Sequence, residues 1–283
     1  MSTPTQTERD EQYELTRVTD RQQFLQKMLV KRRLYRWFGE IYIGRRAKFL
    51  HFRRWLARLG VPDGARVLEV GSGDGVYCFY MAAQYPKAQV VGLELNPTEV
   101  EVCQTIAERE ALPNLRFADG VLGPPWNNSC DLLYSLDVLE HISDDVGVMR
   151  QMFDALADGG HLLVHVPSRV HQETDGRMIS MPDEDAWKIN LGHVRQGYAP
   201  EELDAKLTAA GFDVKEIQPT QSQYMSYAHR LYARVEHALP MRILILPILD
   251  VLIFLDARRK PEHGNTVWAW AQKPAGSTPP RAE

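Results

Sequence analysis

The sequence predicts an α/β fold, and three observations carry that prediction. Short apolar runs recur along the chain, and stretches at helical spacing lie between them. One such run, Val67-Leu68-Glu69-Val70, passes directly into Gly71-Ser72-Gly73-Asp74-Gly75 and then into a helical stretch from Val76. A second run, Gln89 to Leu95, carries an acid, Glu94, close to its tip.

A strand that turns tightly into a helix aims backbone N–H groups and a positive helix end at whatever binds there. Glycines let a cofactor approach that backbone with no Cβ in the way. The rival pattern is the dinucleotide fingerprint G-x-G-x-x-G/A. This chain departs from it, because Val76 stands where that fingerprint needs glycine or alanine. Glu69 would repel a pyrophosphate but suits a cofactor that carries an ammonium and a sulfonium.

Length and composition bound the rest. The 283 residues suffice for one large α/β domain with additions. A net charge of −4 speaks against a general nucleic-acid binder and leaves local patches open. Cys78, Cys103 and Cys130 lack C-x-x-C spacing and fall in the predicted core, as packed thiols of a reducing compartment do. Met1 to Glu14 is polar, so no secretory leader is read there, and no run reaches the ~20 apolar residues of a membrane-spanning helix. The expected location is cytoplasmic, with membrane association as an added option.

In chain order, Met1 to Asp10 is polar and expected to be disordered. Phe24 to Leu59 reads as two or three basic helices, with Lys31, Arg32, Arg33, Arg36, Arg45, Arg46, Lys48, Arg53, Arg54 and Arg58 beside an aromatic side of Tyr35, Trp37, Phe38, Tyr42, Phe49, Phe52 and Trp55. The plain reading is a solvated basic face. The sharper ones are an anionic acceptor, an anionic membrane or RNA. Gly60 to Gly64 breaks the pattern, so residues 1–60 form a helical extension ahead of the main domain, 61–273.

Val76 to Gln84 is expected as a helix, Gln89 to Leu95 as strand two, and Pro97 to Ala111 as a helix capped by Asn96. Glu94 at the tip of strand two can accept both ribose hydroxyls of an adenosine, whichever adenosine cofactor carries it. Asn114 to Phe117 is strand three, leading to Ala118-Asp119-Gly120. Asp131 to Ser135 is strand four, Met149 to Leu156 a helix and His161 to Val166 strand five. A long loop, Val170 to Leu191, is expected above the strand ends. Pro200 to Ala210 is a helix, Asp213 to Ile217 strand six and Thr266 to Gln272 strand seven.

The last two strands are separated by residues 219–264, far longer than a hairpin turn. This insert holds the apolar run Ile243 to Leu255, broken by Pro247 and Asp250 and followed by Arg258, Arg259 and Lys260. It reads as a helical lid or dimer contact, or else as a greasy acceptor pocket or interfacial membrane anchor through 243–255. The tail, 274–283, is expected to be disordered.

The Glu-x-Gly-x-Gly-x-Gly turn resembles the first motif of the class I S-adenosylmethionine (SAM) methyltransferases. Leu136-Asp137-Val138-Leu139-Glu140-His141-Ile142 resembles the segment after strand four in their small-molecule members, and Gly192 to Ile217 continues the likeness. The resemblance implies a Rossmann-like seven-strand sheet whose last strand inserts antiparallel beside the sixth. It implies SAM as cofactor. Glu69, Gly71 and Gly73 would serve its methionine end, Gly75 would shape the turn, and Ser72 would be cofactor-binding among them. Glu94 would take the ribose and Asp119 the adenine, Leu95 and Gly120 would be cofactor-binding beside them, and the Leu136 backbone would sit near the cofactor. The acceptor implied is a small, hydrophobic molecule with a hydroxyl. Runner-up readings are a lipid or RNA acceptor, a SAM-binding scaffold without catalysis, and an NAD-dependent oxidoreductase.

An oxygen or nitrogen acceptor needs a base for its proton, and His141 and His193 are the candidates. On a helix, Asp137, Glu140 and His141 at i, i+3 and i+4 would share one face. With His193 they make a set able to bind a divalent metal. The arrangement is similar to that of metal-dependent ubiquinone-pathway O-methyltransferases and small-RNA 2′-O-methyltransferases.

Overall fold

A computed structural model describes residues 6–172, 178–180 and 193–276. Two helices open the chain, α1 (Gln6–Phe38) and α2 (Ile43–Leu59). The polar start is therefore helical from Gln6 rather than disordered throughout, and residues 1–5 lie outside the described part. Gly39 breaks the pair and Gly60 ends α2 in the left-handed region, each at φ above +60° (+67° and +64°), where a Cβ is costly.

The alternation that follows matches the sequence closely. Strand β1 (Arg66–Val70), helix α3 (Val76–Gln84), strand β2 (Gln89–Glu94) and helix α4 (Pro97–Arg109) come first. Asn96 caps α4 by accepting a hydrogen bond from the Thr98 N–H at 3.0 Å, with Pro97 in the first turn. Next are β3 (Leu115–Asp119), β4 (Cys130–Leu136), α5 (Asp145–Ala155) and β5 (Leu156–Pro167). Two short antiparallel strands, β6 (Val170–Gln172) and β7 (Met178–Ser180), occupy part of the expected loop. The rest of that loop, with Gly192, lies outside the described residues. Helix α6 (Pro200–Ala209), strand β8 (Asp213–Thr220), helices α7 (Gln223–Ala233) and α8 (Leu239–Ala257), and strand β9 (Thr266–Gln272) complete the chain.

Seven strands form one sheet in the order β3-β2-β1-β4-β5-β9-β8. β9 runs antiparallel to both neighbours, β5 and β8, and the pairings among β1 to β5 are parallel. The order reverses between β1 and β4, and ligands of open α/β sheets bind at such a switch point, beyond the carboxyl ends of the strands. The central strands are buried on both faces, as their near-continuous apolar runs require.

The N-terminal helices belong to this core. Helix α2 buries Ala47, Phe52, Trp55 and Leu56, and the Phe52 ring meets Tyr77 of α3 at 5.1 Å and Tyr134 of β4 at 5.0 Å. A freely solvated basic face is not what the structure has. Lys31 and Arg45 pair with Asp74, Arg32 with Glu110, Arg46 with Asp250, Lys48 with Asp137 and Arg58 with Glu216. Most of these pairs are half-buried; the aromatic burial holds α2 and the ion pairs fix the register of the helices.

The long insert is helical, as expected. Its helices build their own apolar cluster with Ile43 and Ala47 of α2, through Met225, Ala228, Ile245, Leu246, Leu249 and Ile253. Helix α8 runs through Pro247 and Asp250 without ending. Buried Asp256 ties the two helices by accepting from the Ser222 N–H (3.0 Å) and hydroxyl (2.8 Å). Among the described residues no helix is long and apolar enough to cross a membrane.

Candidate functional site

At the switch point lies a cavity of about 510 Å³, within the range of small-molecule sites. Gly71 and Gly73 line it from the turn after β1, Glu94 and Leu95 from the end of β2, and Gly120 from the end of β3. Asp137, Val138 and His141 close it from the segment after β4. Sequence reasoning named most of these groups, and the fold brings them together.

The glycines of the turn differ in what they do. Gly73 sits at φ +49°, and a Cβ there would find only Glu99 Oε2, at 3.8 Å. Its missing side chain therefore leaves room on the cavity side. A Cβ on Gly75, at φ +68°, would press on Phe117 at 2.7 Å, so that glycine serves packing inside the fold. Ser72 between them is buried, and its Oγ has no hydrogen-bond partner among the described residues. An orphaned hydroxyl at a turn like this fits a polar ligand group.

Glu94 is held by the backbone. Its Oε1 accepts from the Leu95 and Asn96 N–H groups at 2.8 and 3.0 Å, and its Oε2 from the Gly73 N–H at 2.9 Å. A carboxylate oxygen can accept about two hydrogen bonds, so Oε2 keeps capacity for a ligand hydroxyl. Asp119 pairs with Glu94 in the β2–β3 register and is exposed, but it does not line the cavity, whereas Gly120 does. Leu136 is buried at the end of β4, beside the cavity-lining Asp137.

Glu69 is placed below the turn rather than in the cavity. Only 2% exposed, its Oε2 accepts from the Cys78 thiol at 2.8 Å and the Tyr134 hydroxyl at 3.2 Å. Burial raises its pKa from 4.5 to about 8, and the two hydrogen bonds offset this only in part. A carboxyl whose folded pKa exceeds its unfolded one stabilises the fold below the unfolded value, and that stability drains as pH rises through the folded value. Wild-type stability is thus expected to fall between about pH 5 and pH 8 by an order of a few kcal/mol from this group. Glu69→Gln keeps an acceptor for both donors but cannot ionise. Denaturant melts at the two pH values check this: equal pH slopes in wild type and variant would rule out the assignment.

The segment after β4 is where the sequence reading is corrected. Residues Leu139–His141 form a single 3₁₀ turn, and Asp137 stands before it at φ +57°. Asp137, Glu140 and His141 therefore do not share a helix face. Instead Asp137 Oδ1 meets His165 Nδ1 of β5 at 2.6 Å, and Oδ2 accepts from the Lys48 ammonium of α2. Burial, with Lys48 nearby, holds the His165 pKa well below its usual value, so the ring is neutral. A carboxylate can only accept, so His165 donates through Nδ1–H. Lys48 and His165 were missed from sequence, since nothing in the spacing of 48, 137 and 165 signals that three elements converge.

Glu140, His141 and His193 do converge. One ligand atom from each lies within 4.8 Å of the others, and the two rings meet edge to face at 4.5 Å. The Val194 N–H bonds the Glu140 carbonyl at 2.9 Å, which fixes the His193 strand of chain against the turn. Burial raises the Glu140 pKa from 4.5 to about 7, and its Oε2 has no hydrogen-bond partner among the described residues. His141 is exposed and lines the cavity, while His193 is buried behind it.

A second cavity, of about 390 Å³, lies on the other side of the turn, where Asp74 lines it. Phe24, Met28, Leu34, Tyr35, Ile41 and Tyr42 line it from the N-terminal helices and the link between them, together with the charged Lys27, Lys31, Glu40, Arg45 and Arg242. Lys31 and Arg45 both reach Asp74 there, so these helices are bound directly to the glycine turn.

A mostly parallel sheet closed by one antiparallel strand, with a bare glycine turn and a strand-tip acid around one cavity, is the fold of the SAM-dependent methyltransferases. The antiparallel β9 and the absence of a third fingerprint glycine set it apart from the NAD-dependent oxidoreductases. The chain belongs to the methyltransferase-domain family, which matches residues 43–217. A similar relative is the trans-aconitate 2-methyltransferase of Variovorax paradoxus, 31% identical over 140 residues, covering 49% of this chain and 52% of that one. The chain spans about half the length of the first curated relatives it matches. Among solved structures, the phosphoethanolamine N-methyltransferase 2 of Haemonchus contortus superposes with a TM-score of 0.58 at 17% identity, over 86% of this chain and 60% of that one. A SAM-dependent methyltransferase of Mesorhizobium loti gives 0.51 at 20% identity, over 77% and 97%. Likeness at such identities speaks for the fold alone.

Proposed function

We propose that the protein transfers a methyl group from SAM to a small, hydrophobic acceptor through a hydroxyl. The observation that carries the proposal is the cavity itself, where the cofactor-type groups and a fixed carboxylate face one space. Gly71, Ser72 and Gly73 would hold the methionine end, Glu94 the ribose and Gly120 the adenine side, with Asp119 flanking it. When bound, SAM supplies a methyl on a sulfonium, an inherently good leaving group, so alignment provides much of the acceleration.

Asp137 would accept the hydroxyl proton of the acceptor at a carboxylate oxygen. Lys48 and His165 act through it as positioning residues. His141 is the competing base, being exposed in the same cavity, and His193 would act through His141. The relatives named for trans-aconitate and phosphoethanolamine support a small acceptor, and the apolar side chains Val121, Leu122, Val138 and Ile142 around the first cavity support a hydrophobic one. RNA is disfavoured, because many N-terminal cations are already paired within the fold.

A second reading, a divalent metal on Glu140, His141 and His193, rests on the convergence of those ligands and the unpartnered Glu140 oxygen. Two imidazoles and a carboxylate suit zinc and other borderline metals. The test is transfer of labelled methyl from SAM into a cell extract, sorted into organic, aqueous and RNA fractions, with and without chelator. Chelator-resistant label in the organic or small-molecule fraction is expected. Loss with chelator would promote the metal, and label confined to RNA would overturn the acceptor class.

A further inference from the structure

We infer that the outer face of α8 docks on an anionic lipid surface. The inference goes beyond the catalytic reading and does not depend on it. Helix α8 is apolar almost all round, and such helices are normally covered on every side. Here Ile245, Leu246, Leu249 and Ile253 are buried against α2 and α7, but the opposite side is bare. Met241, Leu244, Ile248, Val251 and Leu255 are exposed and fall within an arc of about 80° at 3.6 residues per turn. Leu244 is 68% and Ile248 55% exposed, and Phe254 adds to the edge of the stripe. At the end of α1, Trp37 is 80% exposed; Arg46, which pairs with Asp250 of α8, also donates to the Phe38 carbonyl and so draws that end of α1 toward α8. A contiguous patch of this kind marks an interaction surface.

Charge decides what covers it. Arg230, Arg234 and Arg242 stand at the amino end of α8, and Arg258, Arg259 and Lys260 at its carboxyl end. The acids beside these flanks are Glu236, Glu262 and Glu216 of β8, which lies 3.7 Å from Lys260 and also pairs with Arg58; Asp250 is bonded by Arg46 and Asp256 is buried, so the flanks stay net cationic. A second copy packed on the stripe would bring cationic ends against cationic ends, whether the helices ran parallel or antiparallel. An anionic bilayer neutralises both ends at once, and the apolar stripe enters the boundary between headgroups and acyl chains. An indole such as Trp37 is favoured at that depth. The helix lies on the membrane rather than crossing it, in keeping with the charged Arg242, Asp250 and Asp256 along it.

Sedimentation of the full chain with vesicles tests the inference. Wild type is expected to pellet with phosphatidylcholine–phosphatidylglycerol vesicles, much less with phosphatidylcholine alone, and less as salt is raised. Ile248→Glu with Val251→Glu, and separately Arg258→Ala with Arg259→Ala and Lys260→Ala, should each weaken binding about tenfold or more. These side chains are exposed, so unchanged thermal melting would show that both variants stay folded. Wild type remaining in the supernatant with the anionic vesicles would overturn the inference. So would variants that pellet like wild type, or a wild-type dimer that Ile248→Glu with Val251→Glu splits and that ignores vesicles.

Discussion

Asp137→Asn is expected to lower methyl transfer by about 100- to 1,000-fold, the usual worth of a positioned proton acceptor, with SAM affinity nearly unchanged. The substitution is chosen to leave the backbone alone, because asparagine tolerates the left-handed φ of +57° that most residues avoid. It also keeps an oxygen for one of the two donors, Lys48 and His165. What it removes is the negative charge and the site for the proton. Lys48→Met should cost less, since it frees the carboxylate rather than abolishing it. A loss confined to His141→Ala, with Asp137→Asn active, would hand the role to His141. A merely structural Asp137 would show itself as lost SAM binding and a lowered melting temperature, so both are measured alongside turnover.

Gly73→Val is expected to weaken SAM binding by about 100-fold or more, close to 3 kcal/mol. The methyl groups would occupy cavity space that has little protein around it and so exclude the cofactor. The strain of a β-branched residue at φ +49°, about 1–2 kcal/mol, falls on free and bound protein alike and shows as a modest loss of stability rather than of affinity. The same change at Gly75 would instead strike Phe117 in the core and lower stability. The pair of variants separates a ligand-facing glycine from a packing one.

Much of the frame was legible because its causes are local. The glycine turn, the Asn96 cap with Pro97 behind it, and the strand-tip Glu94 are each set by residues within a few positions, and they appear where expected. The antiparallel β9 followed from the family resemblance rather than from any local signal. What could not be read depends on distance or on backbone geometry. The i, i+3, i+4 spacing of Asp137, Glu140 and His141 presumes an α-helix, and one positive φ at a non-glycine residue breaks that presumption. The cations of α1 and α2 look like a solvated face until Asp74, Glu110, Asp137 and Asp250 are found beside them. Glu69 looks like a cofactor ligand from its place in the motif, yet it points under the turn because Cys78 and Tyr134 stand there as donors. The outer stripe of α8 is invisible in an apolar run that could equally have been buried on all sides.

We propose the cavity between β1 and β4 as the SAM site. Calorimetric titration of SAM into the folded chain tests it most directly, repeated with Gly73→Val and with S-adenosylhomocysteine as competitor. Saturable one-site binding, displaced by the competitor and lost in the variant, is the predicted result. A folded wild type that takes up no SAM, or a Gly73→Val protein that binds it as tightly, would rule this cavity out as the site.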